Sequence, residues 1–282
     1  MEILNLKQGT QEWLDFRKTK ITATDASVIM RVNPWKTPLQ LFKEKKGLSP
    51  SSFVNDAMKR GIELEPVARE LFMIETGFDV QPTVVCKDWA MASLDGYDID
   101  LQKIVEIKCP GKDVHEMAAR GQVPDYYFPQ LQFQMFVCDV YEAYYYSYFE
   151  GEGISICVLR DDIFIEKMIK KCREFYEKLL KDEAPEMLDR DFQQRNDYEW
   201  VAVAKSYKET VEHIESLEKR QESLRKQLLT LANDKNVMGG GVCITQVQKK
   251  GTIDYSIIPV LKSVDLEQYR KAPTTYSRIT TS

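Results

Sequence analysis

The sequence predicts an α/β fold of the α+β kind, with a central mixed sheet flanked by helices. Three observations lead there. The first 76 residues carry apolar side chains at spacings of three and four, the mark of helices packed on one face. Residues 79–108 and 142–159 hold β-branched and aromatic runs bounded by turn formers, which read as strands. Amphipathic helical patterns follow both strand groups, as they must where helices cover a sheet.

Taken in order, GTQEWLDFRKT, TATDASVIM and TPLQLFKEKKG are the first helices, interrupted at Asn33-Pro34 and at Gly47. SFVNDAMKRGIELEPVARELFMIETG is a longer amphipathic stretch that ends at Gly77, with Pro66 a point where it kinks or restarts. VQPTVVCK, MASLDGYDID and KIVEIKC are strands, for which an antiparallel hairpin or meander is the simplest connection. A helical region spans about 112 to 137. EAYYYSYFEG and ISICVLRD are two more strands, and IFIEKMIKKCREFYEKLL is an amphipathic helix.

The chain then turns acidic around Pro185. The expected division is a core over residues 1–181, an acidic linker over 182–199 and a helix-plus-hairpin extension over 200–282. In the extension, Ile214, Leu217, Leu224, Leu228 and Leu231 form a narrow apolar seam on a charged helix that needs a partner surface. Gly239, Gly240 and Gly241 break the chain before a hairpin-like tail, VCITQVQ and GTIDYSIIP.

Composition narrows the function classes. Among 282 residues, 43% are hydrophobic and 29% charged, and no apolar stretch approaches the roughly 20 residues of a membrane span. MEILNLKQGT lacks the features of a signal peptide, so a soluble cytoplasmic protein is expected. Six scattered cysteines without a C-x-x-C pair suit reduced thiols and argue against an iron–sulfur cluster. The net charge of −5 is a poor footprint for nucleic acid, but residues 1–60 carry eleven Lys/Arg against six Asp/Glu and make a candidate basic surface. His115 and His213 stand in no ligand pattern, and no phosphate-binding loop for ATP is present.

The chemistry concentrates in SLDGYDIDLQKIVEIKCP, residues 93–110. Side chains alternate along a strand, so Glu106 and Lys108 share a face while Ile107 points into the core and leaves its backbone carbonyl for the cleft. Asp95, just before a Gly96 that permits a tight turn, can lie across the hairpin from Glu106. Two carboxylates and a carbonyl oxygen suit a hard cation such as Mg²⁺. Lys108 beside them is placed to hold a water or stabilise charge on a phosphate. The same residues also suit a charged, solvent-facing hairpin, because Asp followed at an elastic distance by Glu-x-Lys is a common pattern.

Four ordered segments decide between these readings: QGTQEWLDFRKTKITATDAS, RGIELEPVARELF, SLDG with EIKCP, and YFPQLQFQMFV. In that order they resemble the lambda exonuclease group, the YqaJ-like viral recombinases of the PD-(D/E)xK nuclease superfamily. The resemblance implies a restriction-endonuclease-like core. It makes Asp95 and Glu106 the metal-binding carboxylates, with the Ile107 carbonyl, and Lys108 the catalytic lysine. Glu65 becomes the helix acid that arranges the metal's waters, and Gln130 a glutamine at the same site, on a helix rather than a strand. Arg17, with the hydroxyls of Thr24 and Ser93, corresponds to a pocket for a 5′-terminal phosphate, although Thr24 stands where a serine is frequent. The implied activity is Mg²⁺-dependent, with Mn²⁺ as substitute: 5′-to-3′ digestion of one strand of linear double-stranded DNA, releasing mononucleotides and leaving 3′ tails. A ring-shaped trimer and a single-strand annealing protein are the implied partners, in phage or prophage recombination within a bacterial host. A restriction-like or junction-resolving endonuclease, and a catalytically idle DNA-end-binding protein, stay as alternatives.

Overall fold

The computed structural model describes residues 1–49 and 56–247. It divides into two compact units, residues 1–193 and 194–282.

In the first unit, three helices and two short strands come first. Strand β1 (Glu2–Leu4) precedes helix α1 (Gln11–Lys18), strand β2 (Ile21–Thr22), helix α2 (Ala23–Ile29) and helix α3 (Pro38–Lys45). Thr10 and Thr37 cap α1 and α3 by accepting from the backbone N–H of Trp13 and Gln40. This satisfies donors that a helix start leaves orphaned. Helix α4 (Asp56–Thr76) runs on through Pro66, where the sequence allowed a restart.

Strands β3 (Gln81–Lys87), β4 (Ala90–Asp98) and β5 (Lys103–Lys108) form the expected antiparallel meander. Helices α5 (Lys112–Ala119) and α6 (Phe128–Cys138) then carry the chain across, so strand β6 (Glu142–Phe149) pairs parallel to β5. Strand β7 (Glu152–Leu159) returns antiparallel, and helix α7 (Asp162–Leu180) follows, with a short 3-10 helix at Asp189–Asp191 after it. The sheet order is β1-β3-β4-β5-β6-β7, with β2 parallel to β4. The central sheet is therefore mixed and flanked by helices, as the sequence predicts. β1 and β2 went unpredicted because three- and two-residue strands carry too few side chains to display a period.

Alternation along β6 splits the tyrosine run between two cores. Tyr145 joins the larger core with α2, α6 and α7, whereas Tyr146 joins the smaller one beneath Phe72 of α4. On β7, Gly153 leaves the space that the Tyr146 ring fills, since a Cβ there would overlap the phenol.

Gly96 does not make the turn expected of it; it lies inside β4. A Cβ would stand 2.7 Å from Cγ1 of Val105 and 2.8 Å from Cβ of Val80, so the residue is demanded by close strand approach. Gly96→Ala is expected to cost about 1–3 kcal/mol in chemical denaturation, the range for overpacking a tight interior.

The second unit contains helix α8 (Tyr198–Ala232) and a hairpin of β8 (Val237–Gly239) with β9 (Val242–Ile244). The hairpin forms around the glycines instead of after them. Gly240 and Gly241 have φ of 58° and 79°, the left-handed pair that a two-residue hairpin loop requires. The strand expected at GTIDYSIIP lies outside the described residues.

Candidate active site

β4 and β5 pair only from Gly96↔Val105 to Asp98↔Lys103. Beyond that point β4 stays with β3 and β2, while β5 continues along β6 as far as Lys108↔Ser147. The strands part at Asp95 and Glu106, and the opening is where the site forms. A bulge sharpens it. Between Leu94↔Thr83 and Tyr97↔Gln81, β4 advances three residues against two on β3, so the extra residue falls at Asp95–Gly96. Bulges of this kind re-aim a side chain. Here Asp95 Oδ2 accepts from the Ile107 N–H at 2.8 Å, bridging the parted strands.

Glu106 is 1% exposed, and its carboxylate is held on every side. Lys108 and Gln130 both donate to Oε1, and Gln134 donates to Oε2. The two glutamines stand one turn apart on α6, with Pro129 in the helix's first turn. The Lys108 ammonium also lies over the Tyr127 ring, 5.2 Å from its centroid. Ile107 is buried in the smaller core, as the alternation requires.

From the other side, α4 brings Glu65 and Arg69. Arg69 pairs with Glu65 and donates through Nε to the Asp95 carbonyl at 2.6 Å, fixing the strand where it bulges. Burial pushes the Asp95 carboxyl well above its usual range, and the neighbouring Glu106 and Glu65 charges add to the shift. Glu65 is raised by burial and by Glu106, against the opposing pull of Arg69. Burial works to lower Lys108, but Glu106 and Asp95 outweigh it and the net direction is upward, so the side chain stays an ammonium. The neighbouring Cys109 thiol is pushed up to about 11 by burial, which keeps it protonated.

The predicted phosphate-pocket residues are also connected. Arg17 Nη2 donates to Thr24 Oγ1 at 3.1 Å, and its guanidinium stacks over Trp13 at 4.4 Å. Trp13 Nε1 donates in turn to Ser93 Oγ at 2.9 Å, two residues before Asp95. Arg17, Thr24 and Ser93 thus form one chain through Trp13, a residue that sequence reasoning did not single out. Its signal was only the helical spacing to Arg17. Gln134, Tyr127 and Arg69 were missed too; for Gln134 the signal was its position four residues after Gln130 on a helix. His115 is buried, with Nδ1 2.9 Å from Ser147 Oγ, and stands outside this constellation.

The donors that converge here are oxygens. Among the described residues no group of three or more His, Cys, Asp and Glu is arranged to hold a metal by side chains alone. Two carboxylates, Asp95 and Glu106, with main-chain oxygen and water beside them, are a donor set that a hard dication could use. Crowded buried carboxylates with a raised Asp95 are the electrostatic counterpart of that donor set, because a dication relieves both burial and mutual repulsion.

Comparison with known proteins adds the lineage. Residues 12–141 match the YqaJ-like viral recombinase domain and span α1 to α6 with both sets of residues just described. Over that stretch the chain is similar to the YqaJ-like viral recombinases. The protein YqaJ of Bacillus subtilis (strain 168) is 27% identical over 191 residues, covering 64% of this chain and 60% of that protein. Protein R354 of Acanthamoeba polyphaga mimivirus is 24% identical over 161 residues, 50% of this chain and 29% of its own length. The chain therefore spans less than two thirds of either curated relative. Among solved structures, the YqaJ-like domain and its surroundings are similar to an alkaline exonuclease (LHK-Exo) from Laribacter hongkongensis. That match has a TM-score of 0.55 and 28% identity, over 61% of this chain and 94% of the other. The structure of LHK-Exo in complex with dAMP matches at TM-score 0.54 and 27% identity. The architecture is the PD-(D/E)xK nuclease fold, a central mixed sheet flanked by helices.

Proposed function

We propose that this protein is a Mg²⁺-dependent exonuclease that digests one strand of linear double-stranded DNA from its 5′ end. It releases mononucleotides and leaves 3′ tails for phage-type recombination. The observation that carries the reading is the meeting of Asp95, Glu106 and Lys108 where β4 and β5 part, with the Arg17–Trp13–Ser93 chain ending two residues from Asp95. Similarity to an alkaline exonuclease supports the same class of chemistry.

Asp95, Glu106 and the Ile107 carbonyl would hold the metal, with Mn²⁺ as an expected substitute. When bound, Mg²⁺ would supply Lewis acidity at the phosphate and a more acidic water. The remaining work falls to the chain. Lys108, kept charged by its acidic neighbours, holds the attacking water and stabilises charge gathering on the phosphate oxygens. Gln130 and Gln134 fix the orientation of Glu106. Glu65, steadied by Arg69, orders water at the same place. Arg17 and the Thr24 and Ser93 hydroxyls offer a guanidinium fork and two donors to a 5′-terminal phosphate. A ring-shaped trimer enclosing DNA would make digestion processive despite the acidic net charge, and a single-strand annealing protein would take up the exposed strand.

The test is one linear duplex with a 5′ phosphate at one end and a 5′ hydroxyl at the other, beside a covalently closed circle, in Mg²⁺ or EDTA. The expected result is metal-dependent loss from the phosphorylated end with the circle spared. Cutting of the circle would point instead to an endonuclease, and no cutting of either to an end-binding protein. Arg17→Ala is expected to erase the preference for the phosphorylated end, a loss of about 10- to 100-fold in relative rate, the worth of a charge-assisted hydrogen-bonded contact.

A further inference from the structure

Helix α8 is 35 residues long, and every residue in it except Val211 and Ala232 is exposed. Its sequence nevertheless keeps a seven-residue repeat from end to end. The first position of each heptad is Trp200, Tyr207, Ile214, Gln221 and Leu228; the fourth is Val203, Thr210, Leu217, Leu224 and Leu231. Eight of these ten are apolar, and their exposure runs from 40% for Leu228 to 81% for Leu231. A strict period of seven sustained over five heptads is the pattern of a left-handed coiled coil, not of a helix lying once on a globular core.

The two polar members, Thr210 and Gln221, identify what lies opposite. In an antiparallel pair, a first-position residue meets a fourth-position residue of the other helix. When two α8 helices cross about a point between Glu215 and Ser216, Trp200 meets Leu231, Val203 meets Leu228, Tyr207 meets Leu224 and Ile214 meets Leu217. Thr210 then meets Gln221, twice by symmetry. All eight remaining layers are apolar on both sides, the full helix is used, and each buried polar side chain faces the other polar residue. Shifting the crossing one heptad towards the C-terminal end would set Glu218 against Glu218 and Arg220 against Arg220, and shifting it one heptad the other way would set Gln221 against Val203 and Thr210 against Ile214. A parallel, in-register pair would set Arg220 of one helix beside Arg225 of the other.

We infer that α8 is an antiparallel coiled-coil interface whose occupant is the α8 helix of a second copy of this chain. Thr210 and Gln221 set the register, at the cost in stability that a polar core position carries. A two-fold pair cannot close within a three-membered ring, so in such an assembly it joins the α8 helices of two rings; it requires nothing of the catalytic site and holds or fails separately from the exonuclease reading.

The experiment is a photocross-link on the full chain, with Tyr207→p-benzoylphenylalanine, mapped by peptide mass spectrometry. The expected product joins position 207 to the peptide around Leu224. Within one straight helix these positions are about 25 Å apart, so that product arises only between two copies in antiparallel order. Leu224→Asp is expected to abolish it, and Thr210→Leu with Gln221→Leu to spread it over neighbouring heptads. Cross-links from 207 to the peptide around Tyr207 of a second copy would overturn the antiparallel order. Cross-links to residues 1–193 or 248–282, or none at all, would overturn self-pairing itself.

Discussion

Lys108→Ala is expected to bind 5′-phosphorylated duplex ends with near-normal affinity and to cleave them about 10²- to 10³-fold more slowly, the loss seen when one preorganised stabilising group is removed. The fold should survive the change. Glu106, the carboxylate that loses its lysine, keeps donors from Gln130 and Gln134 on its two oxygens. The direction of the effect follows from charge. An ammonium held up by Glu106 and Asp95 donates and stabilises; it does not take a proton. Binding by gel shift and single-turnover cleavage on the same substrate separate the two parts, and full activity in the variant would sink the mechanism.

The second large effect is on stability and lies behind the phosphate pocket. Lys45, at the end of α3, pairs with Asp25 of α2 at 2.7 Å, with side chains only 7% and 9% exposed. The same ammonium donates to the carbonyls of Arg17 and Lys20 at 3.0 and 2.7 Å, so it also ties down the C-terminal end of α1. Asp25 Oδ2 in turn accepts from the Thr22 N–H at 2.8 Å. Removing the lysine leaves a buried carboxylate without its counter-charge. Lys45→Met is therefore expected to cost about 3–5 kcal/mol at neutral pH by chemical denaturation.

The pH dependence of that loss has a definite sign. Burial alone would raise the Asp25 carboxyl, but Lys45 and then Arg17 outweigh it and hold it below its usual value of 3.8. A depressed carboxylate contributes stability above its unfolded pKa and loses it as pH falls through the folded value. The native protein should thus keep this contribution down to pH values below 3.8. In Lys45→Met, burial raises the Asp25 carboxyl, and the unpaired charge becomes less costly as pH falls. The gap between variant and native stability should narrow on acidification; a gap that widens would show that Asp25 is not the charge involved.

How much of this was legible in sequence depended on the range of the interaction. Helices α1, α2 and α3, the β3–β4–β5 meander and the strand–strand–helix close from β6 to α7 were all readable, because each displays its own period or turn chemistry within a dozen residues. The Gln130 segment was expected on a helix, by the helical pattern over about 112 to 137 and by the resemblance, and α6 is that helix. Gly96 was misread because a glycine in isolation announces freedom to turn. Its actual constraint, the approach of Val105 and Val80, comes from residues on either side that no local window contains.

The sequence alone determined which residue types the site would use and the order in which the chain presents them. Alternation put Glu106 and Lys108 on one face of a single strand, and that is a property of backbone geometry. Only the tertiary structure decided that Asp95 turns toward β5, because this required a bulge set by the register with β3. It also decided that Arg17, Thr24 and Ser93 are joined through Trp13, and that Gln134 shares Glu106 with Gln130. Those contacts cross from one element to another, and their partners are chosen by packing and the exclusion of water, which a pattern along the chain does not encode.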